Sequence, residues 1–489
     1  MTGSSYQNFI LARSHRNPCT GGLIDHFKSP GTKEKPSTIV SIAYPPNADP
    51  LVSPLCHILE DGGDLPQLLR DQSTGCGRIL IVEDIQLDDI NILGETLDID
   101  PFYFAGHIST DVRNIEKTPA PPSAAVFPSQ IAQSGFLHLH YQQVVDLGSS
   151  NLWEHSPYNL KSDTNVPRNV RRLPPLSGRQ LGLARGCISA VVKRFKDSWI
   201  CLILCDPPIK NFVEIQGSDD QTRRTAKPLN GGFEDFLNTP LDPSETSIDK
   251  SVLGSLVRYF RNQSPPGFEQ SQPTILSLGY YPTRIALAEW NIYIRLMGRY
   301  FKYYEYTIQD NETRLHNNDI VDLQRWRRRT LQSQNKLALL ATFIEHWLPE
   351  EAEKPAWEAA LKDIKYIRSQ LKETHSSFEQ IIPVLASMVQ LLDSRRAISQ
   401  AASVARLTFI AMVFVPLSWV ASLFSMAEGY SPGQDKFWVY FVTALPVLGV
   451  ALLGSTVKWA QVVVQLKGVG EMFSWQVWNK KRQTAAGSV

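Results

Sequence analysis

The run LTFIAMVFVPLSWVASLF, from Leu407 to Phe424, carries no charged side chain, and a second uncharged run extends from Phe437 to Val457. At about 20 residues each, both have the length a helix needs to cross a bilayer. A buried hairpin of a globular core is the alternative, and the length argues against it. Between the runs lies SMAEGYSPGQDK (residues 425–436), a short polar segment that carries Glu428, Asp435 and one base, Lys436.

The flanking charges set an orientation. Arg395, Arg396 and Arg406 precede the first run, and Lys458, Lys467, Lys480, Lys481 and Arg482 follow the second. Basic flanks stay on the cytoplasmic side or its topological equivalent, so both termini are expected there and the loop alone on the far side. The expectation is an integral membrane protein of the plasma membrane or an internal membrane.

The rest of the chain looks soluble. It has 489 residues, a net charge of +1 and 43% hydrophobic residues, which suits two or three domains and gives no electrostatic footprint for nucleic acid. Six cysteines show no framework spacing and read as reduced. The first residues, MTGSSYQNFILARSHRNPCTGG, are acid-poor, with a mitochondrial presequence and a plain disordered tail as alternative readings.

Residues 1–73 are expected to be an N-terminal tail and polar segment, followed by an α/β cytosolic domain with a long connector over 74–275. Strand patterns recur at Arg78–Val82 and Phe136–Val145, and a hairpin is expected from Ile188–Arg194 and Trp199–Cys205. Periodicity fades from about Glu214 to Thr274. A helical and stalk region over 276–406 is expected next: Ile285, Ala288, Ile292, Leu296 and Tyr300 recur at helical steps. So do Trp357, Leu361, Ile364, Ile367, Leu371, Phe378, Ile382, Leu385, Met388 and Leu392, with Pro383 expected to kink that helix. The helix feeds directly into the first span (407–424), which precedes the outer loop (425–436), the second span (437–457) and a cytosolic tail (458–489). The expected class is an α+β membrane protein: a mixed α/β cytosolic domain, a long stalk helix and two C-terminal transmembrane helices.

Thr408, Ala411, Val415, Ser418, Ser422 and Ser425 follow steps of three and four down the first span, so mostly small or hydroxyl-bearing side chains form one stripe. Such a stripe serves either close helix packing or the lining of a pore. One two-span subunit cannot enclose a pore, so a channel requires a ring of identical subunits.

The long helix, the short acidic loop and the basic tail resemble the CorA superfamily of divalent cation channels, most of all its divergent fungal branch. The likeness is strongest over SRRAISQAASVARLTFIAMVFVPLSWVASLFSM and FWVYFVTALPVLGVALL, and extends to GRILIVEDI and LDIDPFYFAGH near the N-terminus. The resemblance implies a homopentamer in a lipid membrane that transports a divalent cation, Mg2+ or similar, without a cofactor and without enzymatic activity. It implies a pore along the first span lined by Thr408, Val415, Ser418, Ser422 and Ser425, with Ser418 at the place of a pore-facing threonine. The family signature is Gly-Met-Asn, and the matching residues here are Ser425, Met426 and Ala427, so the methionine alone is kept and Ala427 has no side-chain oxygen to hold a hydrated ion. Glu428 and Asp435, repeated around a ring, are expected to concentrate cations at the outer mouth. The alternative is a non-conducting membrane sensor or anchor on the same scaffold.

His138 and His140 alternate in a strand, a weak zinc signal beside exposed strand histidines. The basic run Gln324–Arg329 reads as a solvated helix face rather than a lipid or nucleic-acid patch. No nucleophile elbow, phosphate loop or zinc signature is present.

Overall fold

The computed structural model describes residues 5–15, 17, 20–28, 35–45, 54–59, 65–70, 77–108, 127–153, 159–196, 198–214, 222–229, 251–310, 317–425, 433 and 435–456. The chain divides into two units, Met1–Ala386 and Ser387–Val489. The strands are β1 (Thr38–Tyr44), β2 (Leu55–Leu59), β3 (Gly77–Glu83), β4 (Leu137–Ser149), β5 (Asn159–Ser162), β6 (Asn169–Arg172), β7 (Arg179–Arg194), β8 (Trp199–Cys205), β9 (Asn211–Glu214), β10 (Thr222–Thr225) and β11 (Lys227–Pro228). The helices are α1 (Ser5–Ser14), α2 (Gly21–Lys28), α3 (Leu65–Arg70), α4 (Leu87–Thr96), α5 (Pro101–Ile108), α6 (Pro128–Gln133), α7 (Val252–Asn262), α8 (Ile275–Asp310), α9 (Asn317–Trp347), α10 (Lys354–Ser425) and α11 (Trp438–Thr456).

The strands form one mixed sheet in the order β10-β9-β5-β6-β7-β8-β3-β1-β2, with β4 paired to β7 and β11. The β7–β8 hairpin forms in the expected register, from Ile188 opposite Cys205 to Arg194 opposite Trp199. The continuous apolar run of β8 is buried at every residue, as a central strand covered on both faces must be. It pairs in parallel with β3, a long-range contact that local alternation does not encode.

Leu80, Val82, Leu202 and Leu204 share a core with Ile90 and Leu93 of α4 and Tyr103 and Phe104 of α5. The intervening residues Ile79, Ile81, Cys201 and Ile203 point to the opposite face and are equally buried. The helices α7 and α8 pack against β1, β3, β4 and β7, and Trp290 of α8 donates its indole N–H to the His140 carbonyl at 3.1 Å. The first half of α10 is covered in turn by α8 and α9: Phe378 lies against Phe301 and Trp326, and Trp357 against Tyr280. Ion pairs join Arg284 to Asp363 and Arg327 to Glu379 across the same seams.

Several expectations are corrected. The described residues among the first 73 are not a loose tail. Tyr6, Ile10 and Leu23 are buried, the Tyr6 hydroxyl donates to the Ile99 carbonyl at 2.6 Å, and β1 lies between β2 and β3. Sparse apolar residues hid this, because their partners lie more than 80 positions away. The expected connector contains β10, β11 and α7. Ser251 caps α7 by accepting from the Gly254 N–H at 2.9 Å, and Val252, Leu256, Tyr259 and Phe260 form its buried face. As expected of a helix kinked rather than ended at Pro383, α10 runs continuously for 72 residues. Among the described residues one helix, α10, is long and apolar enough to cross a membrane, whereas α11 offers a shorter apolar stretch, Trp438–Leu453.

Candidate functional site

A span of α10 has no charge to solvate, and its polar groups must be satisfied within the helix. They are. The Thr408 hydroxyl donates to the Val404 carbonyl at 2.8 Å, Ser418 to Val415 at 2.9 Å, and Ser425 to Ser422 at 2.9 Å. Each hydroxyl keeps its lone pairs for a second partner outside the helix.

Thr408, Ala411, Val415, Ser418, Ser422 and Ser425 are all exposed. On the other side of the same helix Val420 is only 2% exposed, and Phe424 meets Tyr440 of α11 with ring centroids 6.2 Å apart. The second helix therefore occupies the face opposite the hydroxyl stripe, and close packing of α10 on α11 does not account for that stripe. The structure brings Thr408, Val415, Ser418, Ser422 and Ser425 to one face. Asp435 is exposed, while Met426, Ala427 and Glu428 lie outside the described residues, as do residues 457–489.

The first unit, Met1–Ala386, holds a buried polar centre that sequence reasoning missed. Arg168 and Asp206, 1% and 7% exposed, pair through two hydrogen bonds of 2.6 and 2.9 Å. Asp206 also accepts from the Cys187 N–H at 2.7 Å, and Arg168 donates to the His107 carbonyl at 2.9 Å. The Ser189 hydroxyl lies 3.0 Å from His107 Nδ1 and 2.8 Å from His138 Nδ1. Only glycine fits at position 106, because a Cβ there would come within 2.5 Å of His138 Nε2. Burial pushes the His138 imidazole down to about 4 and those of His107 and His140 well below the usual range, so all three are neutral. His138 and His140 are thus packed polar groups rather than exposed strand histidines, and the described residues contain no group of three or more His, Cys, Asp or Glu able to hold a metal. Burial also raises the Glu289 carboxyl to about 8.

The basic run is likewise not a solvated face throughout. Trp326 is fully buried, and the Arg329 guanidinium, 9% exposed, lies 4.9 Å from the centre of its ring. Helical spacing alone could have found this, because Trp326 and Arg329 are three residues apart.

Comparison with known proteins returns three findings. Residues 286–459 match the family model described as "CorA-like Mg2+ transporter protein". No curated protein matches the chain. Among solved structures, the complete CorA magnesium transporter of Methanocaldococcus jannaschii is 10% identical, covers 84% of this chain and 96% of its own, and superposes with a TM-score of 0.35. The full-length CmaX protein is 12% identical over 87% of this chain and 98% of its own, with a TM-score of 0.33. The family match spans α10 and α11 together with α9 and most of α8. Residues 286–459 are thus similar to the CorA-like Mg2+ transporter family.

Proposed function

We propose that the chain is one subunit of a homo-oligomeric divalent cation channel whose path runs along the hydroxyl stripe of α10. The carrying observation is the exposure of that stripe on the side of α10 away from α11. Divalent cation transport is the activity of the family. The finer reading is that Phe437–Val457 forms the second span, that both termini face the cytoplasm, and that five subunits form the ring.

In that ring Thr408, Val415, Ser418, Ser422 and Ser425 recur as successive layers around the path. A hydrated Mg2+ gives up water reluctantly, so hydroxyls that hydrogen-bond its water shell suit it better than a tight cage. Glu428 and Asp435 raise the local cation concentration outside the mouth. The sequence Ser425-Met426-Ala427 lacks a carboxamide, and this favours one second reading, a non-conducting sensor or anchor.

Divalent cation flux into proteoliposomes separates the two. The native chain is expected to conduct, Ser422→Leu to lower flux at least about tenfold by replacing a hydroxyl layer with a hydrophobic constriction, and Ala427→Asn to increase preference for Mg2+. Absence of flux from a correctly folded oligomer, with any divalent cation, overturns the channel and leaves the sensor.

A further inference from the structure

A lysine ammonium drawn partly out of water normally finds an oxygen to accept from it. Lys336 of α9 is half-buried over the sheet, yet it makes no hydrogen bond or ion pair among the described residues. It lines a crevice with Gln332 and Ser333 of its own helix and with Gln142 and Arg185, which pair in register across β4 and β7.

The lining holds no carboxylate. Burial, and then the charge of Arg185, lowers the Lys336 ammonium to about 8; Cys187 opposes this and Arg168 adds to it. After burial, the Lys336 charge is the next cause that keeps the His140 imidazole of β4 neutral, so that strand supplies no counter-charge. An amine at about 8 is about one-quarter neutral at pH 7.5, against about 0.1% for an ordinary lysine. The neutral form carries the lone pair that attacks an electrophile.

The crevice selects the electrophile by size and charge. Its room of about 20 Å³ admits one or two water-sized groups. Carbon dioxide is uncharged, linear and no wider than a water, and a bulkier acyl donor does not fit. In the reaction the Lys336 Nζ lone pair forms an N–C bond to carbon dioxide, one C=O pair moves onto oxygen, and an amine proton leaves to water. A cation beside Arg185 is thereby replaced by an anion. A guanidinium has five N–H donors, so Arg185 keeps the partners it has and can still donate to one more acceptor.

We propose that Lys336 is a carbon dioxide-binding residue, whose side-chain amine forms a carbamate in the crevice between α9 and strands β4, β6 and β7. The crevice lies within the first unit and does not depend on conduction by α10.

The test is to incubate the purified full chain with carbon-13 bicarbonate in equilibrium with carbon dioxide, trap carbamates with triethyloxonium and locate them by peptide mass spectrometry. A labelled ethyl carbamate is expected on Lys336, at a yield at least about tenfold above that on Lys365 of the exposed face of α10, because the neutral fraction sets the yield. In carbon-13 NMR the native chain should show a carbamate resonance that Lys336→Arg lacks, since this variant keeps the positive charge but offers no amine lone pair. Thermal melting is read beside it, and if the variant does not fold, the site-resolved trapping on the native chain decides alone. No carbamate on Lys336 with bicarbonate in excess, or a similar yield on Lys365, overturns the proposal.

Discussion

The two halves of α10 treat the same residue types in opposite ways. Trp357 is fully buried, with Phe378 and Leu385, whereas Trp419 is 59%, Phe414 65% and Leu407 68% exposed. The changeover falls where the first unit ends, at Ala386. Up to there the apolar positions follow one stripe and the other faces carry charge; beyond Leu407 the apolar residues surround the helix. An amphipathic pattern tells a helix where its neighbour is, while an all-round apolar surface tells it that the solvent has changed.

The sharpest way to break this comparison is a pair of truncations. Trp357→Ala is expected to cost 3–5 kcal/mol of the order found for large-to-small core changes, read by thermal or denaturant melting of the full chain in detergent. Trp419→Ala should shift the same transition by less than about 0.5 kcal/mol, as an exposed site does. If both cost alike, the outer surface of the second half is packed against protein rather than lipid, and the sharper reading is a subunit interface there.

A charge on the exposed apolar surface probes the solvent directly. Val450→Arg on α11, where the native side chain is 70% exposed, should cost about 3 kcal/mol of insertion near a bilayer centre. The measurement is the fraction of the chain retained in carbonate-washed membranes, which should fall. Full retention would argue that α11 lies at a surface rather than across the membrane.

Acid separates the units by a smaller effect. His138 is held neutral with its folded value near 4, below the ordinary value of 6.5. Between these values the unfolded chain binds more protons than the folded one, so stability is full above about pH 6.5 and falls as pH drops towards 4. Allowing for its partial exposure, His138 alone should account for about 2 kcal/mol across this window, and His107 and His140 act in the same direction. The melting midpoint of the first unit should fall over this range. His138→Gln should flatten the dependence, and an unchanged pH profile in that variant would mean that the imidazole titrates normally. The smallest effect is expected at Ile398→Ala, 70% exposed on the stretch of α10 before the apolar run, which should change stability by less than about 0.5 kcal/mol.

Much of this architecture was legible locally. The β7–β8 hairpin, the stripe from Trp357 to Leu385 and the unbroken passage of α10 into the Leu407–Phe424 run all follow from spacing within a few residues, where a period of two or 3.6 declares which faces must be covered. The stripe of Thr408, Ser418, Ser422 and Ser425 was readable in the same way. What spacing left open was its neighbour, and the packing of Val420 and Phe424 on the α11 side narrowed that question.

Other features required distant partners. Tyr6 reaches Ile99, Arg168 reaches Asp206, and β3 pairs with β8 across more than a hundred residues. Nothing in MTGSSYQNFILARS announces a docked helix, because its apolar residues are few and their complement is made by α4 and α5. Arg329 stood in the sequence as part of the basic run Gln324–Arg329; its convergence with Arg171, Arg185 and Lys336 was not legible there, since it depends on how α9 lies over the sheet. The sequence by itself determined periodicity, the uncharged runs and the helix that joins them, because these are set by neighbours within a turn or two. The tertiary structure alone decided strand order, the buried ion pair and the cationic crevice, because those contacts arise only when distant segments fold together and exclude water.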